Sequence, residues 1–193
     1  MSQTDITQAD IRCISQDDAQ YLISLIRTIP DFPKKGILFR DFMPVFADAR
    51  GMQILIDALI KALPVDADQF DSIAGLEARG FLFGPAMAAR LNKGFIAIRK
   101  AGKLPPPVHS CSYALEYGTA TLEIEDCAVK PGERVLIVDD LIATGGSAAA
   151  ACDLIKSVGG EIAGYSFVME LDGLNGRKAL GDYPTSSLLQ MPA

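Results

Sequence analysis

One segment constrains the fold of this 193-residue chain more than any other. An apolar run, residues 135–138, ends in Asp139 and Asp140 and continues into a glycine-rich turn, residues 143–147. A short continuous apolar run is typical of a strand buried on both faces, as in parallel sheets. The turn then leads into an alanine-rich helical pattern, so the segment predicts a buried strand, a tight turn and a helix N-terminus.

The rest of the chain alternates between predicted strands and helices. We expect strands at 70–75, 95–99, 134–139, 162–171 and 186–191, and helices at 15–30, 52–63, 80–91 and 147–158. This alternation predicts an α/β fold with a mainly parallel, twisted sheet flanked by helices. We expect a single domain over 1–193, with a flexible tail at 1–14 and an N-terminal helix and hood at 15–45.

A long excursion, residues 100–130, interrupts this alternation. Its three consecutive prolines, residues 105–107, exclude a helix or a central strand. Two extended arms, 112–115 and 119–124, then flank a turn, which predicts a flexible flap. A long excursion in a compact domain is usually functional, although a stiff surface loop without a gating role is the alternative.

Composition excludes several classes of protein. The chain carries 18 Lys and Arg against 24 Asp and Glu, a net charge of −6, and it has no basic run, which argues against nucleic-acid binding. No apolar run is long enough to span a bilayer, and the polar N-terminus is unlike a signal peptide. Four scattered cysteines and a single His109, which we expect at a loop surface, offer no protein metal site or disulfide framework. We therefore expect a soluble, cytoplasmic protein.

The glycine-rich turn has the chemistry of a phosphate cradle. It consists of small and hydroxyl-bearing residues, namely Ala143, Thr144, Gly145, Gly146 and Ser147. Glycines let the backbone approach a phosphate, and the N–H groups at a helix N-terminus favour an anion. Asp139 and Asp140 could accept hydrogen bonds from sugar hydroxyls beside that phosphate. A P-loop ATPase is excluded because the sequence has no GxxxxGK[ST] loop.

At this point the sequence resembles adenine phosphoribosyltransferases, members of the type I phosphoribosyltransferase family. Besides the turn, the resemblance is carried in order by Asp-Phe-Pro at 31–33, Phe-Arg-Asp at 39–41, Ala-Gly-Leu-Glu-Ala-Arg-Gly-Phe at 74–81, Ile-Arg-Lys at 98–100 with Gly-Lys-Leu-Pro at 102–105, and Leu-Glu-Tyr-Gly at 115–118. The resemblance covers the chain from about residue 30 onward. It implies the type I phosphoribosyltransferase fold and transfer of a phosphoribosyl group from phosphoribosyl pyrophosphate to adenine, giving AMP and pyrophosphate.

The resemblance also implies how phosphoribosyl pyrophosphate is bound. Asp139 and Asp140 would hold the ribose hydroxyls, and the turn would hold the 5′-phosphate. The departing pyrophosphate would be met by four cationic residues, Arg79, Arg99, Lys100 and Lys103. A Mg²⁺ ion held mainly by the substrate's own oxygens would complete the neutralisation. In similar enzymes part of the cationic cluster reaches across a dimer interface, so a homodimer is implied; solvated surface charge is the alternative for Arg79 and Lys103.

For the base, the resemblance implies stacking of adenine on Phe39, with main-chain groups near Leu38 and Arg40 reading its amino edge. Phe39 as a buried core residue is the alternative. Hypoxanthine-guanine enzymes carry an Asp where Ala143 stands, so acid–base assistance here must come from elsewhere. Glu116 matches the residue proposed to act at the purine N7, and an exposed turn carboxylate is its alternative.

The resemblance also implies that Tyr117 would pack against the ribosyl pyrophosphate region.

Transfer to another purine, such as xanthine, is the first alternative function, against which Ala143 and the Leu-Glu-Tyr-Gly segment argue. A non-catalytic regulator that senses phosphoribosyl pyrophosphate is the second, but residues before 30 hold one helix and are acidic, which is too little for a DNA-binding unit.

Overall fold

A computed structural model of the chain describes residues 6–8, 14–32, 34–115 and 118–192. The strands are β1 (Thr7–Gln8), β2 (Arg27–Pro30), β3 (Leu38–Asp41), β4 (Ser72–Leu76), β5 (Gly94–Lys100), β6 (Val108–Leu115), β7 (Gly118–Glu125), β8 (Arg134–Ile142), β9 (Glu161–Asp172) and β10 (Thr185–Pro192). The helices are α1 (Gln16–Leu25), α2 (Met43–Ala47), α3 (Ala49–Lys61), α4 (Gly80–Leu91) and α5 (Gly146–Ser157), with short 3-10 helices at Ala67–Gln69 and Gly176–Leu180.

The main sheet confirms the predicted parallel core. Its strands lie in the order β1-β10-β9-β8-β4-β5-β7-β6. The five strands from β10 to β5 run parallel, whereas β1, β6 and β7 are antiparallel to their neighbours. The carboxyl ends of the parallel strands therefore meet at one edge, which is where open α/β sheets bind ligands.

Two apolar clusters cover the two faces of the sheet. Side chains alternate along β8, so that Leu136 and Val138 pack with residues of α3 and α4 on one face. Val135 and Ile137 pack with α5 on the other face. All four side chains are fully buried. Helices on both faces confirm the expectation from the continuous apolar run.

The N-terminal hood differs from the predicted long helix. Ser15, at the start of the predicted helix, caps α1, since its hydroxyl accepts from the backbone N–H of Asp18 at 3.1 Å. The helix ends at Leu25 rather than at Pro30, because residues 27–30 pair with β3 in a separate two-stranded antiparallel sheet. An ion pair between Arg27 and Asp41 joins the ends of these two strands.

Residues 6–8 also differ from the flexible tail that we expected at 1–14. Thr7 and Gln8 pair with Leu189 and Gln190 at the edge of the main sheet. Ile6 is only 6% exposed and joins the first apolar cluster. This long-range pairing holds a segment whose local sequence gives no strand signal.

The flap is a hairpin that grows out of the main sheet. Strands β6 and β7 pair from Val108–Glu125 up to Leu115–Gly118, so both arms begin earlier or end later than predicted. The loop-surface assignment of His109 was wrong: it lies on β6, with Nε2 2.7 Å from Asp126 and Nδ1 3.3 Å from the Ser157 hydroxyl of α5.

The helices of the described residues are short or carry charged side chains, and none of them could span a membrane.

Candidate active site

The glycine-rich turn joins β8 to the N-terminus of α5, as predicted. Gly145 precedes the helix with φ +80°, a left-handed conformation that favours glycine. Within the described chain, no side chain caps this helix N-terminus. Its first N–H groups and the positive end of the helix dipole therefore face the turn, where an anion would be stabilised.

A second backbone segment crosses this turn. A Cβ atom added to Gly145 would collide with the carbonyl oxygen of Gly176, and one added to Gly176 would collide with the carbonyl oxygen of Ala143. The two segments therefore approach too closely for any side chain between them. The requirement for glycine at 145 is thus both conformational and steric, whereas a Cβ at Gly146 would meet its nearest neighbour, the Tyr113 ring, at 3.4 Å.

Asp139 and Asp140 both lie within β8, which continues to Ile142 rather than ending at Asp139 as predicted. The backbone N–H of Asp140 donates to Oδ1 of Asp139 at 2.9 Å. Burial raises the pKa of the Asp139 carboxyl well above its usual range, and the adjacent Asp140 carboxylate raises it further. Burial also raises the pKa of Asp140, although the Arg79 guanidinium opposes that shift. The carboxyl oxygens of Asp139 and Asp140 could accept hydrogen bonds from the hydroxyl groups of a ligand, which would compensate for their burial.

Arg79 connects two parts of the site. It stands at the N-cap position of α4, and its Nε lies 2.9 Å from Oδ2 of Asp140. Its guanidinium carbon lies 5.8 Å from the centroid of the Phe39 ring, within the range of a cation–π interaction. The cation therefore stands between the acidic pair of β8 and the hood.

The predicted cationic cluster contains a carboxylate that sequence reasoning missed. The half-buried Glu77 accepts from Arg99 Nε at 3.2 Å and from the backbone N–H of Lys100 at 2.9 Å, and Lys103 Nζ lies 3.6 Å away. Burial would raise the pKa of Glu77, but these donors hold it below its ordinary value. Glu77 thus brings the side chains of Arg99 and Lys103 together and neutralises part of their charge, and it holds the backbone of Lys100 beside them. Its position two residues before Arg79 was the only available signal.

A cavity of about 440 Å³ opens beside Arg79, between the hood and the carboxyl ends of the strands. Leu38, Phe39 and Arg40, the three residues predicted to bind a base, all line it. Phe39 is half-buried and packs edge-to-face against Phe32, with ring centroids 5.1 Å apart. A flat, largely apolar ring could stack in this position, which favours the binding interpretation of Phe39 over a core role.

The cavity also has walls that sequence reasoning did not find. Leu171 lies near the end of β9, Leu174 follows that strand, and Met191 lies on β10. Leu141 and Ala143 complete the wall beside the turn. These apolar residues come from distant parts of the sequence, and only the strand order of the sheet brings them together.

The flap hairpin also contacts the glycine-rich turn. Tyr113 of β6 lies against the turn near Gly146. Burial raises the pKa of Tyr113, with a smaller contribution from the Asp139 carboxylate. Glu116 and Tyr117, the predicted catalytic residues at the flap tip, lie outside the described residues, so their roles stay predictions.

Side chains that could bind a metal ion are scattered in the described parts of the chain. Within 6–8, 14–32, 34–115 and 118–192, no group of three or more His, Cys, Asp or Glu side chains could hold a metal ion. The Asp139–Asp140 pair is the only predicted site element that offers neighbouring carboxylates in the described residues.

Comparisons with known proteins agree with this geometry. The phosphoribosyl transferase domain family matches residues 46–187. An adenine phosphoribosyltransferase of Bifidobacterium animalis subsp. lactis is 77% identical to this chain, over 100% of both chains. The crystal structure of adenine phosphoribosyltransferase from Thermoanaerobacter pseudethanolicus is 49% identical, with a TM-score of 0.85 over 89% of this chain and 99% of that one. The Saccharomyces cerevisiae enzyme, solved with an imino-altritol bisphosphate and adenine, is 46% identical, with a TM-score of 0.81 over 90% of this chain and 99% of that one.

Proposed function

Since the chain belongs to the phosphoribosyltransferase family and, within it, to the adenine phosphoribosyltransferases, we propose that its site joins adenine to phosphoribosyl pyrophosphate. The products are AMP and pyrophosphate, and the reaction serves purine salvage. The enzyme is a transferase of the pentosyl class.

One observation carries the proposal: the base cavity and the phosphate-binding turn share a wall. Ala143 belongs to the turn and also lines the cavity, and Arg79 lines the cavity while pairing with Asp140. A ligand that fills both regions would have a flat ring in the cavity, a phosphate at the α5 N-terminus and hydroxyls beside Asp139 and Asp140. A nucleoside monophosphate such as AMP has this shape.

The reaction breaks the bond between the anomeric carbon and pyrophosphate through an oxocarbenium-like transition state, as in glycoside chemistry. Negative charge grows on the leaving group, so cations nearby stabilise the transition state more than the ground state. Arg79 is assigned this role, and Arg99, Lys100 and Lys103 extend it from the Glu77 cluster. Asp139 and Asp140 accept from the ribose 2′- and 3′-hydroxyls and orient the sugar for attack.

The choice of adenine is supported by the chemistry of the cavity wall. Ala143 offers a methyl group where 6-oxopurine enzymes carry an acid, and the neighbouring lining residues Leu141 and Leu171 are also apolar. Polar recognition of the base therefore falls to the hood, whose residues 38–40 line the cavity and would read the amino edge of adenine through main-chain groups. Xanthine, with two carbonyl groups, would meet this apolar wall unfavourably.

Proton transfer is assigned to Glu116 at the tip of the flap. A carboxyl enclosed by a closing flap can exchange a proton with the purine N7 near neutral pH. Water competes with adenine for the oxocarbenium-like carbon, so closure must exclude it before the bond breaks. Tyr117 is assigned a contact with the ribosyl pyrophosphate region.

We also propose a requirement for Mg²⁺. Mg²⁺ commonly takes one or two carboxylates plus phosphates, so the ion would be held mainly by the oxygens of phosphoribosyl pyrophosphate. Asp139 and Asp140 are the carboxylates available to it. When bound, the ion neutralises charge on the pyrophosphate.

Assembly and location complete the proposal. We propose a homodimer, supported by likeness to similar enzymes and by apolar side chains such as Leu82 and Met43 that stay 38% and 52% exposed in the single chain. Light scattering of the purified protein tests it: a monomer at micromolar concentration would contradict it. We propose a cytoplasmic location, supported by the free thiols of Cys111, Cys127 and Cys152.

The proposed activity is tested directly with purified protein, Mg²⁺ and phosphoribosyl pyrophosphate. Adenine, hypoxanthine, guanine and xanthine are supplied separately, and nucleotide formation is followed by chromatography. We expect AMP from adenine and little product from the other purines. Turnover of hypoxanthine with adenine inert would contradict the assignment, and phosphoribosyl pyrophosphate binding without any turnover would support the regulator instead.

A further inference from the structure

The segment that crosses the phosphate-binding turn is held by one arginine. This segment is the short helix Gly176–Leu180, which follows β9 and packs on α5. Gly176 touches the turn through its backbone, as described above, and Leu180 is buried in the second apolar cluster. Just before it, Leu174 lines the base cavity. A single segment therefore contacts both the phosphate region and the base region.

Arg177 ties this segment to the ends of two strands. Its Nε donates to Glu170 Oε2 at 2.8 Å, its Nη1 donates to the backbone oxygen of Thr185 at 2.9 Å, and its Nη2 donates to the Ser187 hydroxyl at 2.6 Å. The Ser187 hydroxyl in turn donates to Glu170 at 2.8 Å. The planar guanidinium thus uses three donors at fixed angles, which a lysine could not reproduce.

Glu170 is the anchor of this network. It pairs in register with Ile142, the last residue of β8 before the turn. Its side chain is only 14% exposed. Burial would raise its pKa, but Arg177 and Ser187 hold the pKa below its ordinary value, so the group stays ionised. Glu170 therefore anchors the network at the level of the sheet where the phosphate-binding turn begins, whereas Thr185 and Ser187 lie at the start of β10.

We propose that Arg177 is a positioning residue, which holds the 173–180 segment against the turn and so sets the shape of both the phosphate cradle and the base cavity. Arg177 does not itself line the cavity. It acts through Gly176, whose backbone limits where Ala143 and Gly145 can lie, and through Leu174. A displacement of about 1 Å in a segment that shapes a site can greatly weaken the site's action on its ligand. The inference rests on the proposed function only for its kinetic readout.

A merely structural ion pair would behave differently, and the chain contains a matched one. Arg134 begins β8, at the end of the strand opposite to the turn. It donates from Nε and Nη2 to Asp71 at 3.0 and 2.7 Å, and its side chain is 41% exposed against 40% for Arg177. Arg134→Met therefore removes an arginine of similar exposure and its ion pair without touching the site, although its partner Asp71 is 44% exposed against 14% for Glu170.

The experiment compares Arg177→Met, Arg177→Lys and Arg134→Met with the wild type. Ribose 5-phosphate binding is measured by calorimetry, and KM for phosphoribosyl pyrophosphate and kcat are measured with adenine. For Arg177→Met we expect binding and KM to weaken about tenfold while kcat falls less than about threefold, because the turn binds ground and transition states alike. Arg177→Lys should lie between it and the wild type, and Arg134→Met should change neither constant more than about twofold.

The outcomes separate the two proposals. Wild-type protein that binds ribose 5-phosphate but makes no AMP would contradict the proposed function and leave the binding comparison to decide the role of Arg177. Ribose 5-phosphate affinity unchanged in Arg177→Met, or reduced equally in Arg134→Met, would overturn the positioning role. Should Arg177→Met fail to fold, Arg177→Lys with wild-type affinity and KM would overturn it as well.

Discussion

Arg79 and Asp140 form an ion pair inside the site, with Nε of the arginine 2.9 Å from Oδ2 of the aspartate. The Asp140 carboxylate is only 3% exposed, so the arginine is its principal compensation for burial. In the proposed reaction the same arginine meets pyrophosphate and the same aspartate meets ribose. Substrate binding therefore exchanges one internal ion pair for two contacts with the ligand.

Removing Arg79 should impair both the compensation of Asp140 and the binding of pyrophosphate. Arg79→Ala leaves Asp140 buried without its cation and leaves the pyrophosphate without a counter-charge. We expect kcat/KM for phosphoribosyl pyrophosphate to fall by about 10²–10³-fold, the scale seen for lost electrostatic stabilisation in active sites. Steady-state kinetics with adenine measure this.

The control for that prediction lies on the same helix. Arg90, near the end of α4, pairs with Asp57 at 2.7 Å, and both side chains are well exposed. Exposed pairs of this kind contribute little to stability. Arg90→Ala should therefore keep wild-type kinetics, and an Arg79→Ala enzyme as active as Arg90→Ala would remove Arg79 from its role.

The buried pair Asp139 and Asp140 should lower the free energy of unfolding of the protein without substrate. The folded state raises the pKa of Asp139 above the unfolded value of about 4. Between these two pKa values the folded state binds more protons than the unfolded state, so stability falls as pH rises through that window. Asp139→Asn removes the titrating group, and it should raise the free energy of unfolding at pH 7 by about 1 kcal/mol, or about 2–4 °C in Tm.

Thermal unfolding at pH 5 and pH 8 checks this sign. The wild type should lose more stability than Asp139→Asn between these pH values, and the variant should bind phosphoribosyl pyrophosphate more weakly. A variant that is less stable than the wild type at pH 8 would show that the carboxylate is already well compensated in the folded protein.

The two glycines of the turn should respond differently to alanine. Gly145→Ala places a methyl group against the backbone of Gly176 at a positive φ, so we expect a loss of at least about 2 kcal/mol in the free energy of unfolding. Gly146→Ala adds a methyl group that meets the Tyr113 ring at 3.4 Å within a helix. Its unfolding free energy should change by less than about 1 kcal/mol. Urea denaturation measures both free energies of unfolding. Equal losses in the two variants would contradict the close backbone approach of Gly176 to Gly145.

The flap carboxyl should act on chemistry rather than on binding. Glu116→Gln should lower kcat by about 10²-fold, the usual scale of general acid–base catalysis, while the dissociation constant of phosphoribosyl pyrophosphate stays nearly unchanged. Single-turnover kinetics and calorimetry separate the two quantities. Glu125→Gln, at the base of the same hairpin, is the control. Turnover in Glu116→Gln equal to that of the control would exclude the proton-transfer role.

The parts of the fold that could be predicted are those with a strong local signal. The apolar run of β8 predicts a buried strand, and Gly145 predicts a turn that only glycine can make. Ser15 likewise predicts the start of α1. In each case the residue's own conformational or capping preference agrees with the final structure, so no distant contact is needed to decide it.

The parts that could not be predicted depend on contacts between distant residues. Residues 27–30 continue an apparent helix in the sequence, yet they form a strand because β3 offers a pairing partner. Glu77 looks like an ordinary loop acid until Arg99 and Lys103 fold against it. Leu174 and Met191 reach the base cavity only through the order of β9 and β10. Long-range pairing overrides local preference at these positions.

The smallest strand has a consequence for solubility. Without β1, the outer backbone groups of β10 around Leu189 and Gln190 would lie at an open sheet edge, with Ile6 removed from its apolar contacts. Open edges of this kind recruit strands from other molecules and promote aggregation. A shortened chain that starts after residue 14 would thus keep every site residue and still be at risk of self-association through β10. The two paired residues of β1 would therefore protect the enzyme from self-association through β10.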